Sequence, residues 1–223
     1  MQLTRRSKSI ILIGLLLILL TACNQDEPEE ATPTAETAAT PVVNESNIQY
    51  LPLVDDALGL SLQYPDGWVT QSSLGGATIA TSQDVIDAES LADIGEEAFV
   101  VVIPGEIDYF NFQTAQQFSE DDVLQALATY KALLEKEGSE FVAVEPPVAF
   151  ASENQKMARM IVRSVEDGEP LITEMAVVMG NGYMALISAA SLEGTAPAMR
   201  PIFDHIIESV EVRPPGGVTT DNQ

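Results

Sequence analysis

The chain has 223 residues, 46% of them apolar, and its 10 Lys and Arg stand against 34 Asp and Glu, a formal charge of −24. Such a field repels nucleic acid and anionic lipid surfaces and attracts cations and basic protein surfaces. With one cysteine and one histidine, the chain can build neither an internal disulfide nor a zinc site.

Arg5, Arg6 and Lys8 open the chain, Ile10 to Leu20 is an apolar run, and Leu20-Thr21-Ala22-Cys23 closes it with small residues before the only cysteine. The run is about half the roughly 20 residues that span a bilayer core, so it reads as a secretion signal rather than a membrane helix. The order resembles the signal and lipobox of bacterial lipoproteins. That resemblance implies cleavage between Ala22 and Cys23, a diacylglyceryl group on the Cys23 thiol and a new amino group open to acylation. The mature protein would be extracytoplasmic and held at the cell membrane by its lipid, since two or three acyl chains anchor durably where one is marginal. Removing residues 1–22 leaves 7 basic against 34 acidic residues, a charge near −27.

Cys23 and the residues to 47 form a tether rich in Pro, Thr, Ala and Glu, with almost no large apolar side chain; that composition cannot bury a core and predicts disorder. From 48 to 213 follows one domain, long enough to bury about 70% of the surface of its unfolded chain. Residues 214–223 form a loose tail. No Lys, Arg or His occurs from Asn24 to Tyr130.

Within the domain, Leu60, Leu62 and Tyr64 alternate with Ser61 and Gln63, a strand with one buried face. Pro65-Asp66-Gly67 breaks it, Trp68 to Thr70 resumes extended structure, and Gly75-Gly76 turns into a short strand at Ala77 to Ala80. Ala98 to Ile103 predicts a central strand closed by Pro104-Gly105. Ser119 then caps a helix, with Asp122 three residues on as its reciprocal partner and Glu120 and Asp121 complementing the helix dipole. Val123, Leu124, Leu127, Tyr130 and Leu134 form its apolar face, Lys136 lies in its last turn and Gly138 stops it.

Phe141 to Val144 and Val148 to Phe150 read as two short strands separated by Pro146-Pro147. Met157 to Val165, Leu171 to Met179 and Tyr183 to Ala190 are long strands joined at Asp167-Gly168 and Gly180-Asn181-Gly182, a meander in an antiparallel sheet. Pro197 opens a last helix with the face Met199, Ile202, Phe203, Ile206 and Ile207. Ser209 to Val212 ends the domain as a short strand.

Two stretches of this order are informative together: Tyr64-Pro65-Asp66-Gly67-Trp68 near the start and Ile206-Ile207-Glu208-Ser209-Val210 at the end. With the helix and antiparallel strands between them, they resemble the PsbP and Mog family over most of Gln49 to Val212. The resemblance implies an α+β fold, an antiparallel sheet flanked by helices on both faces, with Tyr64, Pro65, Gly67 and Trp68 as its fold signature and Trp68 as a core residue. It also implies a non-catalytic accessory or binding module. None of the basic-surface or metal-binding residues of plant PsbP can be carried over here residue by residue, so no photosynthetic role is implied.

The inventory argues against catalysis. His205 stands beside Asp204 in sequence and therefore does not face it, no Gly-x-Ser-x-Gly elbow is present, and no glycine loop is followed by lysine. No cofactor is expected apart from the lipid. Oxygen ligands for Ca²⁺ or Mn²⁺ are the chemical alternative, with Asp55 and Asp56 ahead of the first strand and Asp84, Asp87 and Glu89 within the Gln83 to Glu97 segment. These carboxylates are otherwise explained as solvated loop and helix-start residues. The expectation is an envelope accessory module docking on a protein with a basic surface. A small-solute or divalent-cation binder is the alternative, marked by a pocket between the sheet and the Asp122 to Glu137 helix.

Overall fold

The structure, a computed structural model, describes residues 48–73, 75–88, 97–110, 119–136, 140–151, 155–166 and 168–216. Cys23, the tether, Glu89, Gly138, Asp167 and the end of the tail lie outside them. The described residues belong to one compact unit, 44–223.

The described chain holds ten strands and three α-helices. In order they are β1 (Tyr50–Asp55), β2 (Leu60–Pro65), β3 (Val69–Ser73), β4 (Gly76–Ala80), α1 (Gln83–Asp87), β5 (Ala98–Glu106), a 3-10 turn (Ile107–Phe110) and α2 (Glu120–Lys136). There follow β6 (Val142–Ala151), β7 (Lys156–Glu166), β8 (Glu169–Gly180), β9 (Tyr183–Leu192), α3 (Ala196–Glu208) and β10 (Glu211–Val212). Every ladder is antiparallel, and the strands form a seven-stranded sheet in the order β3-β4-β5-β9-β8-β7-β6 and a three-stranded sheet in the order β1-β2-β10. The expected α+β fold with an antiparallel sheet is present.

The meander β7-β8-β9 is the backbone of the large sheet. Its second turn places Asn181 at φ 54° and Gly182 at φ 79°, the left-handed pair that a two-residue hairpin needs to follow strand twist. The α2 terminus is built as its residues require: Ser119 Oγ accepts from the Asp122 amide at 3.2 Å while Asp122 Oδ2 accepts from the Ser119 amide at 2.7 Å. Those bonds hold the Asp122 carboxyl below its ordinary pKa, the Ser119 backbone amide contributing most. Val123, Ala126, Leu127 and Tyr130 of α2 are buried against Met160, Val162, Met175 and Val177 of the sheet.

The opposite face is covered differently from the expectation. Instead of a helix alone, the three-stranded sheet and α3 share it: Leu60, Leu62 and Val212 pack with Ile202, Phe203, Ile206 and Ile207 on Ile79, Val100, Ala176 and Ile187. The strands that build this second layer come from the two ends of the domain, a pairing that no local pattern encodes.

Four elements correct the reading from sequence. Tyr50–Asp55 is a strand, so Asp55 ends the first strand rather than preceding it; its half-buried pattern is interrupted by Pro52, which an edge strand tolerates. β5 continues through Pro104-Gly105 to Glu106, because β4 pairs only as far as Val102 and the missing proline N–H faces no ladder there. The two short segments around Pro146-Pro147 are one strand, β6, with register shifts at Ala143/Glu145 and Glu145/Val148; the bulges absorb the prolines on the open edge of the sheet. Ser209 caps α3, and the last strand shrinks to Glu211–Val212.

Tyr64 and Trp68 are both half-buried and pack on the rim of the core, and Gly67 takes φ 90° in the turn between them. Trp68 is therefore a core-edge residue. No helix among the described residues is long and apolar enough to cross a membrane.

Candidate functional site

Alternation on β7 and β8 sends Arg159, Ile161, Arg163, Ile172 and Glu174 to the face that α3 covers. The first half of α3 does not close onto that end of the sheet. A cleft of about 410 Å³ remains between β6, β7 and β8 and the helix, lined by Val144, Ile161, Ile172, Ala196, Pro197 and Phe203 with Glu145, Glu174, Glu193 and Arg200. Its walls are mostly apolar and its size lies within the range of small-ligand pockets.

Three arginines organise the charge around it. Arg159 Nη1 lies 3.3 Å from Glu174 Oε1 and also donates to Asp204 Oδ1 of α3, while its guanidinium sits 5.6 Å above the Phe150 ring. Arg200 holds Glu145 through two parallel bonds, the Nη2 to Oε2 one at 2.8 Å. Arg163 grips Glu193 in the same forked way at 3.0 and 3.1 Å. Planar guanidinium matches planar carboxylate in such pairs, so they fix geometry as well as charge.

Glu174 is the unusual member. It is 3% exposed on a strand flanked on both sides, and its carboxyl is pushed up to about 7. Burial is the main cause, the negative charge of Asp204 adds to it, and Arg159 and Arg200 pull the other way. Near neutral pH the group is therefore divided between its protonated and ionised forms. Arg200 bonding lowers the Glu145 pKa in contrast.

The residues singled out from sequence lie elsewhere. His205 Nε2 is 2.9 Å from Gln63 Oε1 and its ring stacks on Tyr50 with centroids 3.6 Å apart, while Asp204 turns to Arg159. The two neighbours do not form a dyad. Asp84 and Asp87 are exposed on the five-residue α1, where Asp87 Oδ1 accepts from Gln83 Nε2. Asp55 Oδ1 accepts from the Leu58 amide and Asp56 pairs with Arg213. Among the described residues, no three His, Cys, Asp or Glu side chains are grouped to hold a metal ion. Between the sheet and the mid-chain helix, where a pocket would have marked the solute-binding alternative, the described side chains Val123, Ala126, Leu127 and Tyr130 pack against the sheet; the cleft lies under the last helix.

Sequence reasoning passed over this cleft. One signal was available, a glutamate inside the otherwise apolar or hydroxylic run Leu171 to Met179 of a central strand.

No protein-family model and no curated protein sequence matches the chain. Solved structures do match its shape. The solution structure of cyanobacterial PsbP (CyanoP) from Synechocystis sp. PCC 6803 is 14% identical with TM-score 0.50, over 79% of this chain and 99% of that one. LpqN from Mycobacterium tuberculosis, described as involved in cell envelope biogenesis, is 17% identical with TM-score 0.46, over 78% and 99%. A Pseudomonas aeruginosa protein of unknown function is 13% identical with TM-score 0.45, over 75% and 98%. The likeness to CyanoP establishes a PsbP-like fold.

Proposed function

We propose that this protein is an extracytoplasmic lipoprotein, anchored through Cys23, whose PsbP-like domain is a non-catalytic accessory module docking on a protein with a basic surface. The observation that carries the docking reading is how the domain spends its positive charge. Between 48 and 216 there are 27 Asp and Glu against 7 Lys and Arg. Five of those seven, Lys131, Arg159, Arg163, Arg200 and Arg213, are paired with carboxylates inside the domain. The unmatched charge left to face a partner is acidic, which favours fast, salt-sensitive encounter with a basic surface. The lipid anchor is supported by the residues before Cys23.

Detergent phase partition with mass analysis of the N-terminal peptide, comparing wild type with Cys23→Ala, tests the anchor: acyl mass on Cys23 is expected, and an unmodified, uncleaved terminus would sink it. In-cell crosslinking tests the docking. A discrete partner lost on raising ionic strength to about 0.5 M supports it, since screening shortens the field to a few ångströms; a partner held equally in high salt contradicts it. The cleft favours a second reading, a small-solute binder, independent of the first.

A further inference from the structure

The three guanidiniums at the cleft, Arg159, Arg163 and Arg200, face four carboxylates, Glu145, Glu174, Glu193 and Asp204. Two arginines are each committed to one carboxylate in a forked pair, while Arg159 is shared between Glu174 and Asp204. The cluster is therefore one positive charge short. The carboxylate least served is Glu174, and it lines the cleft beside the apolar side chains of Ile161, Ile172 and Phe203. A buried carboxylate without a full counter-charge is costly and takes up either a proton or another cation.

We propose that this cleft is a binding site for a small organic cation, its ammonium group on Glu174 and its apolar body against Ile161, Ile172, Pro197 and Phe203. This deepens the solute reading and leaves the docking reading untouched. The ligand supplies the fourth positive charge. An inorganic cation would leave the apolar walls unfilled, and an anion would meet surplus carboxylate. Because the proton and the ammonium compete for one carboxylate, binding releases a proton near neutral pH. The groups facing Glu174 are Arg159 from β7 and Asp204 and Arg200 from α3, with Glu145 of β6 held on Arg200.

The test uses the full chain in lipid nanodiscs, with empty nanodiscs as blank, and titrates benzylammonium, benzyl alcohol and benzoate by calorimetry in two buffers of different ionisation enthalpy. Saturable binding of benzylammonium alone is expected, with a buffer-dependent heat that reports proton release and tighter binding at pH 8 than at pH 6. Glu174→Gln keeps the shape and is expected to weaken it about tenfold or more, the scale of a charge-assisted bond. Ala196→Trp, which adds bulk to the lining of the cleft, is expected to abolish it. Equal binding of alcohol and ammonium, unchanged affinity in Glu174→Gln, or no saturable heat from a cooperatively melting protein would each overturn the site. None of these results bears on partner crosslinking, so the two readings fail separately.

Discussion

The two faces of the seven-stranded sheet solve one burial problem in different ways. Under α2 a single amphipathic helix lays Val123, Ala126, Leu127 and Tyr130 on a continuous apolar surface, and a polar contact there, Tyr130 Oη to Ser188 Oγ at 2.9 Å, is satisfied. Under α3 the cover is assembled from a helix and a three-stranded sheet, and where they fail to meet the sheet a cleft opens and charge enters it. A seamless cover yields stability; a composite cover leaves room for recognition. The contrast also explains why the arginines gather on one face: a guanidinium can link two elements that are too far apart to pack directly.

The comparison breaks first at its strongest point. Leu127, fully buried under α2, is expected to cost about 2–5 kcal/mol when changed to Ala, measured by urea unfolding. Half-buried Ile172 in the cleft wall should cost about half as much on the same substitution, because water already reaches part of it. Equal losses would mean that the two faces are sealed alike.

The next effect is pH dependence. Glu174 carries a raised pKa of about 7 in the folded protein against an ordinary 4.5, so the folded state holds the proton more tightly. Its contribution to stability is full below about 4.5 and is lost as pH climbs through about 7. Between about pH 5 and pH 8 the wild type is expected to lose on the order of 2–3 kcal/mol, and Glu174→Gln much less. Parallel pH profiles for the two proteins would remove Glu174 from the account.

Smaller changes sharpen the picture at single hydrogen bonds. Ser119→Ala removes the α2 cap and should cost about 1 kcal/mol, read as a lower urea midpoint. Ser191→Ala, on the α3 side, deletes a fully buried hydroxyl that has no hydrogen-bond partner. It is expected to be neutral or to stabilise by up to about 1 kcal/mol, since an unsatisfied buried hydroxyl carries a desolvation cost. A clear loss of stability there would reveal a partner for that oxygen.

What could be read from the sequence follows the range of the interactions. The α2 cap and stripe, the Asn181-Gly182 turn and the long meander depend on residues within a few positions of one another, and each is where its pattern says. β1 escaped because Pro52 interrupts a strand that is only half buried, and β6 because its prolines are tolerated only at an edge, a property of sheet order rather than of the residues themselves. The cleft is harder still. Arg200 and Glu145 are 55 residues apart, and Arg159 and Asp204 are 45 apart; their meeting depends on the β6 bulges and the seating of α3. Glu174 alone left a trace, as a charge in a strand that otherwise reads as buried.

The small sheet closes across the longest span of the chain. Ser61 of β2 and Glu211 beside it are 150 residues apart, and just beyond them the Arg213 amide donates to the Gly59 carbonyl at 2.9 Å. A side chain at Gly59 would run into the Arg213 carbonyl, 2.0 Å from where its Cβ would stand. Contacts of such separation carry a larger loop-closure cost than hairpins with short turns. The β7-β8-β9 meander is thus expected to form before the β2–β10 junction, which fastens the second layer. A chain released before Val212 has been made lacks the strand that pairs with Leu60 and Ser61, so completion of the second layer is expected to wait for the end of the domain.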